Sequence, residues 1–207
     1  ERIDLVLGSR TREAFETNPH VDDILVIDRD RLRRVGWLGA LREIAGRVRE
    51  VAGRRYDLFI DCSLSREYAF FAKFFARIPE RIGFDHKKRG LFLTRSVRLP
   101  AGYTGKHVLR YFTDLAVLAG GRIGDEKPEF FLTREDEEKA RRCLEAARIA
   151  GGTRFLALAP GGGESWGKDA HFKRWSPTYF AAAADGLAGD LRFSHVVVLG
   201  SSRERSL

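Results

Sequence analysis

The sequence predicts an α/β protein built mainly from parallel β-sheets. Short apolar runs rich in Val, Ile, Leu and Phe recur along the chain, and amphipathic stretches long enough for helices separate them. With 207 residues, 43% of them hydrophobic and 32% charged, the chain can bury one large core or two small ones and is not expected to be disordered. It contains no run of about 18 apolar residues, so no transmembrane helix is expected.

The elements of the amino-terminal half follow from local patterns. The first strand lies at the start of the chain. The residues Asn18-Pro19-His20 then interrupt regular structure before the next strand. A helix is then expected because Leu41, Ile44 and Val48 recur at spacings of three and four. In order, we expect strands at 3–7, 24–27 and 58–60, helices at 31–53 and 65–76, a strand at 91–99, and a helix at 106–119 that ends at Gly120-Gly121.

Polar residues follow the strand at 58–60. Asp61 and Ser63 lie at its carboxyl end, where open α/β sheets usually bind ligands. The alternative is that these two residues cap the next helix. His107, at the start of a later helix, also has two interpretations, a functional one and a structural one.

Basic residues are concentrated in one segment. The net charge of +8 and the isoelectric point near 9.8 predict an anionic partner, and nucleic acid, an acidic membrane surface and phosphorylated small molecules all fit. Residues 77–110 hold nine basic and two acidic side chains, including the run Lys87-Lys88-Arg89. The alternative for that run is a solvated loop.

The second half of the sequence predicts a further set of alternating strands and helices. Thr133 and Asp136 have capping-box spacing at the start of a helix. A strand is expected at 154–159, a helix with Ser176 as N-cap and Pro177 in its first turn, and a strand at 196–200. We therefore divide the chain into domains at 1–133 and 134–207.

A glycine-rich turn follows the strand at 154–159. Gly161, Gly162 and Gly163 leave no Cβ in the way, so backbone N–H groups can approach an anion closely. Lys173 and Arg174 add charge just before a helix start, and together these features favour a pyrophosphate ligand. The spacing fits neither a Walker A loop nor a Gly-x-Gly-x-x-Gly fingerprint, and the alternative is a flexible loop with Trp175 as a core aromatic.

The linear order of these segments resembles glycosyltransferase family 9, the bacterial heptosyltransferase family of lipopolysaccharide synthesis. The resemblance covers nearly the whole chain and implies the GT-B fold, two Rossmann-like domains facing a cleft. Its segments are Asn-Pro-His-Val-Asp at 18–22, Tyr-Asp-Leu-Phe-Ile-Asp at 56–61, Arg-Ile-Gly-Phe at 81–84, His-Val at 107–108, Pro-Gly-Gly-Gly at 160–163, Lys-Arg-Trp-Ser-Pro at 173–177, the Ala-rich helix at 180–187 and the strand ending in Gly200.

The resemblance implies an inverting, metal-independent transfer from a nucleoside-diphosphate sugar such as ADP-heptose, with no cofactor, to an anionic glycolipid acceptor. Lys173 would contact the donor diphosphate beside the glycine turn. Glu204 would accept hydrogen bonds from the donor ribose, or alternatively is an exposed acid at a helix start. The expected donor diphosphate-binding residues are Gly161, Gly162, Gly163, Lys173 and Arg174, and the expected acceptor-binding residues are Asp61, Ser63, Lys87, Lys88, Arg89 and His107.

The chain departs from the family pattern in three places. The loop between Gly163 and Lys173 is longer, the family's first strand and its general-base loop have no counterpart before Glu1, and a later donor segment has none after Leu207. We therefore expect both domains to be incomplete, the general base to lie upstream of Glu1, and the piece to be inactive and of low stability.

Location and competing functions follow from what the sequence lacks. Cys62 and Cys143 lie far apart and no signal peptide is present, which predicts a cytoplasmic protein, with peripheral contact at the inner face of the bacterial inner membrane. A GT-B-like sugar-nucleotide epimerase or a non-catalytic sugar-nucleotide-binding protein is the alternative function. A nucleic-acid binder is the remote one, because the arginines are dispersed and no recognition motif is present.

Overall fold

The computed structural model describes residues 2–124, 127–161, 172, 174–201 and 204. The chain divides into two compact units, Glu1–Phe131 and Leu132–Leu207, where the sequence had suggested a division after residue 133. Every strand pair in the described part is parallel, which confirms the predicted α/β class. Within these residues no helix is both long and apolar enough to span a bilayer.

The strands of the first unit form two groups. Strands β1 (Asp4–Gly8) and β2 (Asp23–Ile27) pair with each other, with Asp4 opposite Asp23. Strands β3 (Leu58–Asp61), β4 (Glu80–Asp85) and β5 (Arg95–Arg98) pair in that order. Since all run the same way, the residues that follow β3 and β4 meet at one edge of their sheet.

In the described part of the first unit, four α-helices connect or follow these strands: α1 (Arg29–Arg34), α2 (Gly36–Gly53), α3 (Arg66–Phe74) and α4 (Val108–Leu118). The single helix expected at 31–53 is wrong. Gly36 has φ +69°, a left-handed conformation that interrupts the helix, and the Asp28 side chain caps α1 by accepting a hydrogen bond from the Arg31 N–H at 2.9 Å.

The strand expected at 91–99 is shorter than predicted. A 3₁₀ helix, Arg89–Phe92, occupies its first part, and only Arg95–Arg98 pairs with β4. The 3₁₀ turn forms because the Asp85 carboxylate accepts a hydrogen bond from the Gly90 N–H at 2.9 Å, which folds the chain back after β4.

The core of the first unit lies between β4 and α4. Ile82 and Phe84 of β4, Leu99 just after β5, and Tyr111 and Leu115 of α4 are buried together. The alternation of Ile82 and Phe84 along β4 and the four-residue spacing of Tyr111 and Leu115 on α4 turn these side chains to one common face. This packing fixes β4, and with it the loop that follows β4.

A buried carboxylate joins the start of the first sheet to the end of α2. Asp4, whose side chain is 1% exposed, accepts hydrogen bonds from Arg2 at 2.9 Å, from Arg54 at 2.7 Å and from the Tyr56 hydroxyl. Burial would raise its pKa, but these donors outweigh burial and lower the pKa of Asp4 to about 2. Arg54 also bonds Asp23 of β2 at 2.6 Å, so one guanidinium ties both strands to α2.

The second unit contains helix α5 (Arg134–Ala146), strand β6 (Phe155–Leu158), helix α6 (Pro177–Leu191) and strand β7 (His195–Val198). The predicted capping box is confirmed: the Asp136 N–H donates to the Thr133 hydroxyl at 3.0 Å, and the Thr133 N–H donates to the Asp136 carboxylate at 3.0 Å. Strands β6 and β7 pair in parallel, with Phe155 opposite His195.

Candidate functional site

One edge of the second unit's sheet brings together two of the predicted donor residues, Gly161 and Glu204. Because β6 and β7 are parallel, Gly161 and Ser201, which follow them, lie at the same edge. The Leu199 N–H donates to the Leu158 carbonyl at 2.7 Å and continues the pairing beyond the strands. The carboxyl edge of an open parallel sheet is where such folds bind ligands.

Gly161 and Glu204 are in direct contact at this edge. Gly161 is buried, and a Cβ added there would overlap the Glu204 carboxylate. Only glycine therefore allows the acid to lie over the end of β6. Two residues that the sequence assigned separately, one to the diphosphate and one to the ribose, are adjacent in the structure.

A tight turn holds Glu204 in this position. Its carboxylate accepts a hydrogen bond from the Ser201 N–H at 2.8 Å, and its own N–H donates to the Ser201 carbonyl at 3.0 Å. Sequence reasoning missed Ser201 as a positioning residue, although Ser-x-x-Glu is the spacing of a capping box and could have revealed it. Glu204 is half-buried, and its bond to the Ser201 N–H is the contact that an acid at the start of a helix or turn makes, so the structural alternative for Glu204 stays open.

The start of α6 carries an aromatic pair. Ser176 is the N-cap and Pro177 the first helical residue, as predicted, but the Ser176 side chain bonds the Thr178 hydroxyl at 2.8 Å and does not cap the helix. Trp175 is 52% exposed and stacks on Tyr179 at 5.3 Å, so the alternative of a core aromatic is wrong. The positive end of the helix dipole is thus not occupied by its own cap.

Two polar atoms in this unit are buried without a partner among the described residues. They are the Nε of Arg174 and the Oγ of Ser201. Buried polar groups are normally paired, so each of these is a group that a ligand or water would satisfy. Arg174 is one of the predicted diphosphate-binding residues.

Three predicted donor residues, Gly162, Gly163 and Lys173, lie outside the described residues. That these three residues contact the donor diphosphate stays a prediction.

In the first unit, Asp61 and Arg89 form a buried ion pair at the carboxyl edge of β3. Asp61 is 3% exposed and Arg89 is 0% exposed, and the guanidinium also donates to the Ser63 carbonyl. The expectation that Arg89 faces an anionic acceptor beside the two lysines is therefore wrong, because its charge is enclosed and paired. Asp61 is likewise turned inward.

Ser63 completes this cluster. Its N–H and its hydroxyl both donate to the Asp61 carboxylate, at 2.9 and 2.7 Å. Burial raises the pKa of Asp61, while Arg89 and the Ser63 donors act in the opposite direction. The helix-cap alternative does not hold, since α3 has Ser65 at its N-cap position and no side chain caps it.

Lys87 and Lys88 remain at the surface, unlike Arg89. Both are exposed and both have positive φ, at 51° and 64°. The Arg66 guanidinium donates to the Lys87 carbonyl, which joins this loop to the start of α3. The loop therefore presents two ammonium groups from a braced backbone.

His107 occupies the N-cap position of α4. Its Nδ1 accepts a hydrogen bond from the Leu109 N–H at 3.3 Å, and the ring is exposed. This contact agrees with the structural interpretation of that histidine. Within the described ranges, no group of three or more His, Cys, Asp or Glu side chains is placed to hold a metal ion.

Comparisons with known proteins give a consistent result. The family model for glycosyltransferase family 9 (heptosyltransferase) matches residues 45–206. A family 9 glycosyl transferase from Veillonella parvula DSM 2008 matches 99% of this chain with a TM-score of 0.74 and 18% identity. The ADP-heptose lipopolysaccharide heptosyltransferase II of E. coli matches 99% of it with a TM-score of 0.67 and 20% identity. The chain spans 55% and 57% of those two structures, and no curated protein matches it.

Proposed function

Because the chain belongs to glycosyltransferase family 9, we propose that it transfers a sugar from a nucleoside-diphosphate donor to a glycan acceptor. The observation that carries the proposal is the family match, which includes most of the first unit and nearly all of the second. The fold is of the GT-B type.

The donor binds, in this proposal, at the carboxyl edge of β6 and β7. The positive end of α6 and the ammonium of Lys173 would face the diphosphate, and Arg174, whose buried Nε has no partner among the described residues, would add a second cation. Glu204 would accept hydrogen bonds from the ribose hydroxyls. The contact between Gly161 and Glu204 supports this arrangement, because it places the Glu204 carboxylate next to backbone that carries no side chain.

The reaction is an inverting displacement. An acceptor hydroxyl oxygen attacks the anomeric carbon, the bond from that carbon to the diphosphate oxygen breaks, and the diphosphate leaves with the electron pair while a carboxylate takes the hydroxyl proton. Cations and backbone donors stabilise the leaving group in place of a divalent ion, so the transfer is metal-independent. Lys87, Lys88 and Ser63 are the residues that we place toward the acceptor.

We propose heptose as the sugar, with ADP-heptose as donor, and an anionic glycolipid of the lipopolysaccharide core as acceptor. The family description supports this choice. The acceptor would be met at the cytoplasmic face of the inner membrane, where basic residues of the first unit have anionic partners.

The test is a transfer assay on the protein expressed from its complete gene. ADP-heptose and a deacylated lipopolysaccharide-core acceptor should give a product heavier by one heptose, detected by mass spectrometry, and excess EDTA should leave the rate unchanged. Glu204→Gln should weaken ADP binding about tenfold, while Glu138→Gln, an exposed acid on α5, should not. Epimerised donor without transfer, or binding without turnover, would point to the alternative functions.

A further inference from the structure

An aromatic surface on the first unit has no role in the proposed chemistry. Phe70, Phe74 and Phe75 of α3 and its end lie beside Leu91 and Phe92 of the 3₁₀ helix, and we call these five residues the aromatic patch. The ring centroids of Phe70 lie 5.0 Å from Phe74, 5.9 Å from Phe75 and 5.6 Å from Phe92. Four of the five side chains are exposed, and Leu91 is 72% exposed.

The orientation of α3 explains why the patch faces outward. Ala69 and Ala72 are the buried residues of this helix, so its small side chains pack inward. The phenylalanines take other positions around the helix and remain in contact with solvent. A continuous exposed apolar patch of this kind marks a surface that meets a partner or a membrane.

Basic groups surround the patch and are tied to it. The Lys73 ammonium donates to the Leu91 carbonyl at 2.8 Å and lies 5.4 Å from the Phe74 ring centroid. Arg66, one turn before Phe70, is bonded to the Lys87 carbonyl, which brings the loop that carries Lys87 and Lys88 to the first turn of α3. Against these four cations stands one acid on α3, Glu67.

From this combination we propose that the aromatic patch and its basic rim dock the protein on an anionic phospholipid bilayer. Phe and Leu side chains insert at the boundary between lipid headgroups and acyl chains, and lysines beside them attract anionic lipid. A second copy of the chain fits less well, because a two-fold contact through this patch would bring like charges together. The charge of the rim therefore selects the bilayer as the occupant.

This proposal extends the proposed function, whose acceptor is carried by a lipid, but it rests on the patch and its basic rim, and its test needs no transfer. The protein expressed from its complete gene is sedimented with vesicles of phosphatidylethanolamine and phosphatidylglycerol and with neutral phosphatidylcholine vesicles. Binding should require the anionic lipid and should fall as salt is raised.

Two variants address the two parts of the surface. Leu91→Ser/Phe74→Ser should weaken vesicle binding at least about tenfold, since it removes the apolar contribution. Lys87→Ala/Lys88→Ala should weaken it about fivefold for each lysine removed. The single change Leu91→Ser, at the most exposed position, serves if the double variant does not fold.

The matched control is Trp37→Ser/Leu38→Ser, which removes two exposed apolar side chains from α2, outside the patch. Retained binding in this control together with loss in the patch variant supports the proposal. Wild-type binding by the patch variant, equal binding to neutral vesicles, loss only in the α2 control, or a change of oligomeric mass in the patch variant would each overturn it. Transfer to a soluble acceptor should be unchanged in Leu91→Ser/Phe74→Ser.

Discussion

The Glu204 carboxylate lies against the backbone of Gly161, so the acid that follows β7 covers the end of β6. The Ser201 N–H holds that carboxylate at 2.8 Å. The position of the acid thus depends on a residue 43 positions earlier that carries no side chain. If the site binds a nucleotide, this contact sets where the carboxylate can meet it.

Replacing Gly161 by alanine should disturb this contact. Gly161→Ala would place a methyl group on the Glu204 carboxylate and displace it, so ADP binding should weaken at least about tenfold. Isothermal titration with ADP measures this. Gly186→Ala is the control: it lies inside α6 with open space around its Cβ position, and it should leave ADP binding unchanged and raise the free energy of unfolding by about 0.5–1 kcal/mol. Equal effects of the two changes would contradict the prediction.

Removing the ammonium of Lys173 should slow transfer. If Lys173 neutralises charge that develops on the leaving diphosphate, Lys173→Ala should lower kcat/KM for the donor by roughly 10²-fold. Steady-state kinetics on the protein from its complete gene provide the measurement. Lys139→Ala removes an exposed lysine of α5 and should have no effect on kcat/KM. Unchanged kinetics in Lys173→Ala would remove the assigned role.

The buried Asp4 should make stability depend on acid pH. Its native pKa of about 2 lies below the unfolded value of about 3.9, so the unfolded state binds the proton more readily in this range. The stabilisation is present above pH 4 and is lost as the pH falls toward 2. Asp4→Asn should cost about 2–4 kcal/mol at pH 7, and the difference from wild type should shrink between pH 5 and pH 3 in urea unfolding. Asp57→Asn, an exposed acid next to β3, should show no such trend.

Breaking the buried pair of Asp61 and Arg89 should be costly. Arg89→Met leaves a buried carboxylate without its cation and should lower the free energy of unfolding by about 3–5 kcal/mol. Asp61→Leu/Arg89→Met, which removes both charges, should recover much of that loss. Urea unfolding of the three proteins makes the comparison. A double variant that is less stable than Arg89→Met would contradict this prediction. It would show that the ion pair contributes more to the free energy of unfolding than the packing of the Leu and Met side chains that replace it.

Local pattern was sufficient for most of the elements. The spacing of Tyr111 and Leu115 places two core residues on one side of α4, and Thr133 with Asp136 marks the start of α5, because both signals span about one helical turn. The break between α1 and α2 was missed, since the positive φ of Gly36 is set by the turn between the helices and a single glycine does not reveal it. Parallel pairing followed from the alternation of strands and helices.

The interior of the candidate sites was harder to predict. Of 29 arginines, nothing in the sequence near Arg89 separates it from the exposed ones, because its burial depends on Asp61, 28 residues away. The contact between Gly161 and Glu204 likewise joins distant segments. The sequence identified both residues as candidates by resemblance, and the fold brought them together.

The uniform direction of the strands has a kinetic consequence. A parallel pair cannot be joined by a hairpin, so each pairing in the described part must wait until an intervening crossover has been synthesised and collapsed. On the ribosome, β3 therefore stays unpaired on its β4 side until residues 80–83 have emerged, and Ala69 and Ala72 of α3, which are buried in the folded chain, are exposed in the meantime. Chaperone demand during synthesis should be greatest in that interval and should fall once α4 closes over β4.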